Sequence, residues 1–153
     1  MAEIEQPTVA LPPQKTYRIL TLENPENVEK LTRACKRAGH QVVPCFTIAE
    51  AMRFLETKDH VDVIIAAAHL ENESVFSFLQ KVKSSDCILH KAQFFMLCAD
   101  PGMLALVTSP SVEIAATLMG ADKYLLMPEF DAEKLVEELE KLFPAVPYKE
   151  VSA

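Results

Sequence analysis

Five short apolar runs alternate along the chain with stretches in which apolar residues recur at helical spacing. Arg18 to Leu22 predicts a first strand. Val28, Leu31, Cys35 and Ala38 then fall on one helical face, with Gly39 as the stop. Gln41 to Phe46 predicts a second strand. Its Pro44 cannot donate to a sheet ladder, which sends that strand to an edge. Thr47-Ile-Ala-Glu50 reads as a capping box opening a helix whose buried stripe is Ile48, Ala51, Met52 and Leu55. Val61 to Ala68 is apolar almost throughout, as a central parallel strand buried on both faces should be. Val75, Phe78, Leu79 and Val82 mark a third helix, and Gln93 to Ala99 a fourth strand. Ser109-Pro110 reads as an N-cap followed by proline at the first helical position, with Val112 to Met119 continuing to Gly120. Lys123 to Met127 is the fifth strand. Asp131 caps a last helix with Leu135, Val136, Leu139, Leu142 and Phe143 inward and a Glu137–Lys141 pair outward.

Regular strand–helix alternation predicts an α/β domain with a parallel sheet, a (βα)5 unit. Two arrangements are open: a flavodoxin-like sheet in the order 2-1-3-4-5, or another doubly wound order. Edge placement of the Pro44 strand favours the first. Residues 1–16 and 144–153 are proline-bearing and aperiodic, and read as a flexible arm and a tail around a domain over 17–143. Right-handed crossovers bring the C-terminal ends of all strands to one rim. That rim carries Glu23 and Asn24 after the first strand, and Ala67, Ala68 and His69 at the end of the third. Cys98, Ala99 and Asp100 follow from the fourth, and Met127 and Pro128 from the fifth.

Composition narrows the function classes. With 153 residues and half of them hydrophobic, the chain fits one ordinary domain. A net charge of −7 leaves no basic stripe for sequence-independent nucleic-acid binding. No apolar run approaches the roughly 18 residues of a membrane span. The acidic start Met-Ala-Glu-Ile-Glu-Gln-Pro lacks the apolar core of a signal peptide. Cys35, Cys45, Cys87 and Cys98 are scattered without metal-site spacing, so reduced thiols in a cytoplasmic protein are expected.

Four segments carry a resemblance: Ile19-Leu-Thr-Leu-Glu-Asn24, Asp62-Val-Ile-Ile-Ala-Ala-Ala-His-Leu70, Leu97-Cys-Ala-Asp100 and Gly120-Ala-Asp-Lys-Tyr-Leu-Leu-Met-Pro128. In this order they resemble the response-regulator receiver family of two-component signalling, over about residues 17–143. The resemblance implies an acidic, Mg²⁺-holding pair at Glu23 and Asn24, a phosphoacceptor at Ala67, a hydroxyl at Cys98, a lysine at Met127 and a switch aromatic at Tyr124. Only Glu23 and Tyr124 keep the implied chemistry. Phosphoryl transfer rests on positioning and charge stabilisation, and Mg²⁺ on hard oxygen ligands. Losing acceptor, cation and hydroxyl together implies a receiver that is not phosphorylated. Ala67, Cys98 and Met127 are expected to pack as apolar neighbours in a smaller, drier pocket.

The remaining rim residues have plainer readings. Cys98 reads as a small buried hydrophobe rather than a nucleophile, and His69 as a loop histidine rather than a ligand. Asp62 reads as a structural cap, and Asp100 and Glu71 as solvated carboxylates. Tyr124 is either a moving switch or a half-buried tyrosine with a wet hydroxyl. The apolar stretch from Asp100 to Pro110, with Met103, Leu104, Leu106 and Val107, departs from the family. It either covers the rim as a lid or adds a turn of helix that docks a partner.

The expected function is therefore a stand-alone atypical receiver acting through protein–protein contacts. Its surface would be the helix 4, strand 5 and helix 5 face, with Tyr124, Met103 and Leu104 in it, binding a partner or a second copy. No cofactor, metal or DNA-binding output domain is expected. The alternative is a small-molecule sensor using the vacated rim pocket. An enzyme is disfavoured because no nucleophile–base–orienter set is visible.

Overall fold

The computed structural model describes residues 16–57, 59–84 and 91–142. The proposed arm (apart from Thr16), the tail, Cys87 and Phe143 lie outside the described residues. Five parallel strands form one sheet in the order β2-β1-β3-β4-β5, with β1 Arg18–Leu22, β2 Gln41–Cys45, β3 Val63–Ala67, β4 Gln93–Ala99 and β5 Lys123–Met127. The flavodoxin-like order is thus the observed one. Pro44 sits on the edge strand, opposite Thr21. The second and third strands are shorter than the apolar runs containing them: Phe46 already belongs to the turn into the next helix, and Val61 and Asp62 precede the ladder.

Helices α1 (Pro25–Ala38), α2 (Ile48–Leu55), α3 (Val75–Lys83), α4 (Met103–Leu118) and α5 (Ala132–Leu142) cover both faces. Strand side chains alternate between faces, and the core divides accordingly. One layer gathers Leu20, Leu22, Ile64, Ala66, Phe94, Met96 and Cys98 beneath α2, α3 and α4. The other gathers Ile19, Val63, Ile65, Phe95, Leu97 and Met127 beneath α1 and α5. The unbroken apolarity of β3 follows from burial on both sides.

Local chemistry sets the helix ends. Asn24 caps α1 by accepting from the Asn27 amide at 2.8 Å, and Pro25 occupies the first turn, where its missing N–H costs nothing. Gly39 ends α1 at φ 88°, a left-handed conformation that side chains resist. Thr47 caps α2, but Glu50 reaches back to the Phe46 amide, one residue further than a standard capping box. The start of α2 is also tied to the loop after β3, since both Glu73 carboxylate oxygens accept from the Ile48 amide. Asp131 caps α5 through the Lys134 amide. On the outer side of α5, Lys141 pairs with Glu138 at 3.2 Å, in place of the expected Glu137 pair.

The largest departure from expectation is α4. Ser109-Pro110 does not open it: the helix begins at Met103, after Gly102, and Pro110 lies inside it. Proline removes one ladder bond and crowds the carbonyl four residues back. Here that carbonyl belongs to Leu106, and both Leu106 and Pro110 face outward, where water can satisfy the freed group. The Ser109 hydroxyl is not a cap because it is committed to the sheet, as described below.

Candidate functional site

The rim at the C-terminal end of the sheet unites the residues singled out from sequence, but not as one pocket. Ala67, Cys98 and Met127 are 7%, 1% and 5% exposed. They do not pack as one apolar group. Cys98 belongs to the α2–α4 layer and Met127 to the α1–α5 layer, because Cys98 registers with Leu126 while Met127 registers with Ala99. The three residues that the sequence resemblance matched to an acceptor, a hydroxyl and a lysine are thus buried, with Cys98 and Met127 on opposite faces of the sheet.

Glu23 and Asn24 remain at the surface of the rim, facing a cleft of about 330 Å³ between β1 and β3. Leu22, Pro25, Phe46, His69, Leu70 and Glu71 complete its lining. Glu23 accepts from the Asn24 amide at 2.8 Å. Burial pushes its carboxyl above the usual range. Hydrogen bonds from the Asn24 backbone and the Asn27 side chain pull the other way, and the Asp100 charge adds a smaller upward push. The Asn24 side-chain oxygen is spent on capping α1.

These residues do not fit a Mg²⁺ ion. The ion demands several hard oxygens in near-octahedral array. Here one carboxylate already accepts from the Asn24 amide, one amide oxygen is committed to a helix, and the third position is a methyl group. Among the described residues no cluster of three His, Cys, Asp or Glu side chains is arranged to hold a metal.

Two acids have structural duties. Asp62 accepts from the Arg18 amide at 2.8 Å at the opposite end of the sheet, so it is a cap, as expected. Asp100 is exposed, as expected of a rim carboxylate, but it also has a structural duty. At φ 50° it accepts from the Phe130 amide at 3.0 Å, and its own amide donates to the Met127 carbonyl at 2.9 Å, stapling the ends of β4 and β5. His69 and Glu71 are exposed on the cleft wall.

Tyr124 is half-buried, and its hydroxyl lies 2.7 Å from that of buried Ser109. The half-burial expected of it beside α4 is observed, and its hydroxyl has a serine partner that the sequence did not suggest. Burial raises the phenol above its ordinary value; the Ser109 hydrogen bond lowers it and a Cys98 contact raises it. Cys98, Tyr124 and Ser109 thus link β4, β5 and α4. Sequence reasoning missed Ser109, since a Ser-Pro pair signals a helix start more strongly than a side-chain partner.

The segment after Asp100 forms no lid. It is helix from Met103, and its outer face exposes Met103, Leu104, Val107, Ile114 and Leu118. Opposite them, Ser109 and Ala116 are buried, with Ala105 and Val112 packed against the core. Apolar residues all round the helix erase the amphipathic signature that would have located it.

No family model and no curated protein matches the sequence. Solved structures match the fold. A chemotaxis response regulator, CheY4 of Vibrio cholerae, aligns with TM-score 0.70 and 21% identity, over 84% of this chain and all of that one. A putative response regulator from Chloroflexus aurantiacus aligns at 0.68 and 22%, over 84% and 98%. The receiver domain of a sensor histidine kinase from Pseudomonas aeruginosa, solved with magnesium in its active-site cleft, aligns at 0.66 and 20%, over 83% and 97%. The fold is that of receiver domains.

Proposed function

We infer that this chain is an atypical receiver of two-component signalling that works through protein contacts and without phosphorylation. One observation carries the reading. The three rim positions at which the receiver pattern requires a carboxylate, a hydroxyl and an ammonium hold Ala67, Cys98 and Met127, all buried in the core. Reversing that state would need a charge inside an apolar layer, at a desolvation cost of several kcal/mol. The α4 face, where Leu118, Met103 and Leu104 are the most exposed apolar side chains, is the contact surface, and Tyr124 joins it to the sheet through Ser109. No helix among the described residues is long and apolar enough to cross a membrane.

The test is a titration with beryllofluoride and Mg²⁺, following the Tyr124 ring and the Ala67 and Ala68 amides by NMR. No saturable shift is expected. A saturable shift at those amides would overturn the phosphate-independent reading.

A second reading, a small-molecule sensor, is favoured by the cleft beside Glu23 and His69, whose volume of about 330 Å³ lies in the range that small ligands fill. Its test is a metabolite screen by thermal shift. A stabilising compound whose effect is lost in His69→Trp, which fills the cleft from its exposed wall, supports it.

A further inference from the structure

The exposed stripe on α4 has a symmetry of its own. Met103 is 81% exposed, Val107 69%, Ile114 62% and Leu118 82%. At 3.6 residues per turn these four and Pro110 share one face, directly opposite buried Ser109 and Ala116. Their order along the helix is palindromic about the Pro110–Ser111 bond. Met103 and Leu118 are the outer pair, Val107 and Ile114 the inner pair, and the small residues Pro110 and Ser111 lie at the centre. Laid antiparallel on a second α4, each long side chain meets another long one and the crossing point is occupied by the shortest.

We propose that α4 pairs antiparallel with α4 of a second copy, across a two-fold axis passing over Pro110 and Ser111. This rests on the reading of α4 as a contact surface and names its occupant. The four stripe residues with flanking Leu104 and Leu106 expose on the order of 700 Å², close to the ~800 Å² per partner of a standard interface. Such a patch exceeds what monomers usually leave bare. Two-fold pairing is isologous: one self-complementary surface serves both partners, and the palindrome supplies that complementarity. Charge points the same way. The chain carries −7, yet α4 holds a single charged residue, Glu113. Like-charged copies can approach there, whereas a basic partner would find almost nothing to pair with.

The experiment is sedimentation equilibrium of the full chain across the micromolar range at low and high salt. A dimer that tightens with salt is expected, since screening removes the repulsion between acidic copies. Val107→Glu and Ile114→Glu each change an exposed side chain, and each is expected to give a monomer with an unchanged far-ultraviolet spectrum. Register is read by disulfide trapping in a Cys87→Ser background: a mixture of Met103→Cys and Leu118→Cys chains should cross-link to each other far more than either does to itself. A monomer at all concentrations and salts, a dimer that survives both glutamates, or preferential self-cross-linking of Met103→Cys would each overturn the proposal. None of these results bears on phosphate independence, which the beryllofluoride titration decides separately.

Discussion

The hydroxyl of Tyr124 on the edge strand β5 lies 2.7 Å from that of Ser109 on α4, and Ser109 is buried. A helix with an apolar outer face is thereby fixed to the sheet by a polar contact on its inner face. A net hydrogen bond of this kind contributes about 1 kcal/mol. Ser109→Ala strands a half-buried phenol. Tyr124→Phe leaves a serine hydroxyl that can turn back to a carbonyl of its own helix. Ser109→Ala is therefore expected to cost about 1 kcal/mol and Tyr124→Phe somewhat less, with the double variant little worse than Ser109→Ala alone. Urea denaturation of the four proteins measures this; additive losses would mean that the two hydroxyls do not act as a unit.

Thr21 should be replaceable at a profit. It is fully buried in β1, and its hydroxyl is the one buried side-chain polar atom without a hydrogen-bond partner among the described residues. Its neighbour on the edge side is Pro44, which has no amide hydrogen to offer. An unsatisfied buried hydroxyl costs about 1–3 kcal/mol. Thr21→Val keeps the branched shape and is expected to stabilise by about 1 kcal/mol, raising Tm by a few degrees in a chain of this size. A lower melting temperature would show that the hydroxyl is satisfied in solution.

Much of the architecture was legible because strand signals are local. Runs such as Arg18–Leu22, Gln93–Ala99 and Lys123–Met127 are apolar and bounded by polar residues, and Pro44 alone placed β2 at an edge. The start of α4 was not legible: Ser109-Pro110 imitates a helix N-terminus, and a helix apolar on both faces shows no phase. At the rim, the positions of Ala67, Cys98 and Met127 could be read, but not their separation onto opposite faces. That separation depends on the β4–β5 register, which pairs Cys98 with Leu126 and is set by tertiary packing. The tasks of Asn24 and Asp100 were hidden for a related reason. Their side chains serve backbone amides, Asn27 and Phe130, and that geometry exists only once the turns have formed.

Two buried thiols are expected to be inert in the folded protein. Burial pushes Cys35 up to about 12 and Cys45 up to about 11, each with a smaller push from a nearby carboxylate, Glu140 and Glu50 respectively. The thiolate is the reactive form, and both side chains lie in the core. Iodoacetamide at neutral pH, followed by peptide mass mapping, should leave both unmodified until denaturant is added. Rapid labelling of either in native buffer would mean that α1 or β2 opens readily.

Glu138 ties α5 to β5, accepting from Lys123 at 2.9 Å and Lys141 at 3.2 Å. The Lys123 hydrogen bond, then the Lys141 one, hold its carboxyl below the usual 4.5. A depressed carboxylate contributes stability that is present above its unfolded value and is lost as pH falls through the folded value. Glu138→Gln should therefore be less stable than the parent at pH 7, with the gap closing below pH 4.5. Glu23 has the opposite sign. Burial raises it, so its ionised form is the strained one, and its contribution is favourable below 4.5 and lost as pH rises through the folded value. Glu23→Gln keeps an oxygen for the Asn24 amide and removes the charge. It is expected to be more stable than the parent at neutral pH and indistinguishable from it below pH 4.5. Paired denaturation curves for the two variants across that range should diverge from the parent in opposite directions as pH rises. If Glu23→Gln instead loses stability at neutral pH, the hydrogen bonds that Asn24 and Asn27 donate to the ionised carboxylate outweigh its burial, and the sign argued here is wrong.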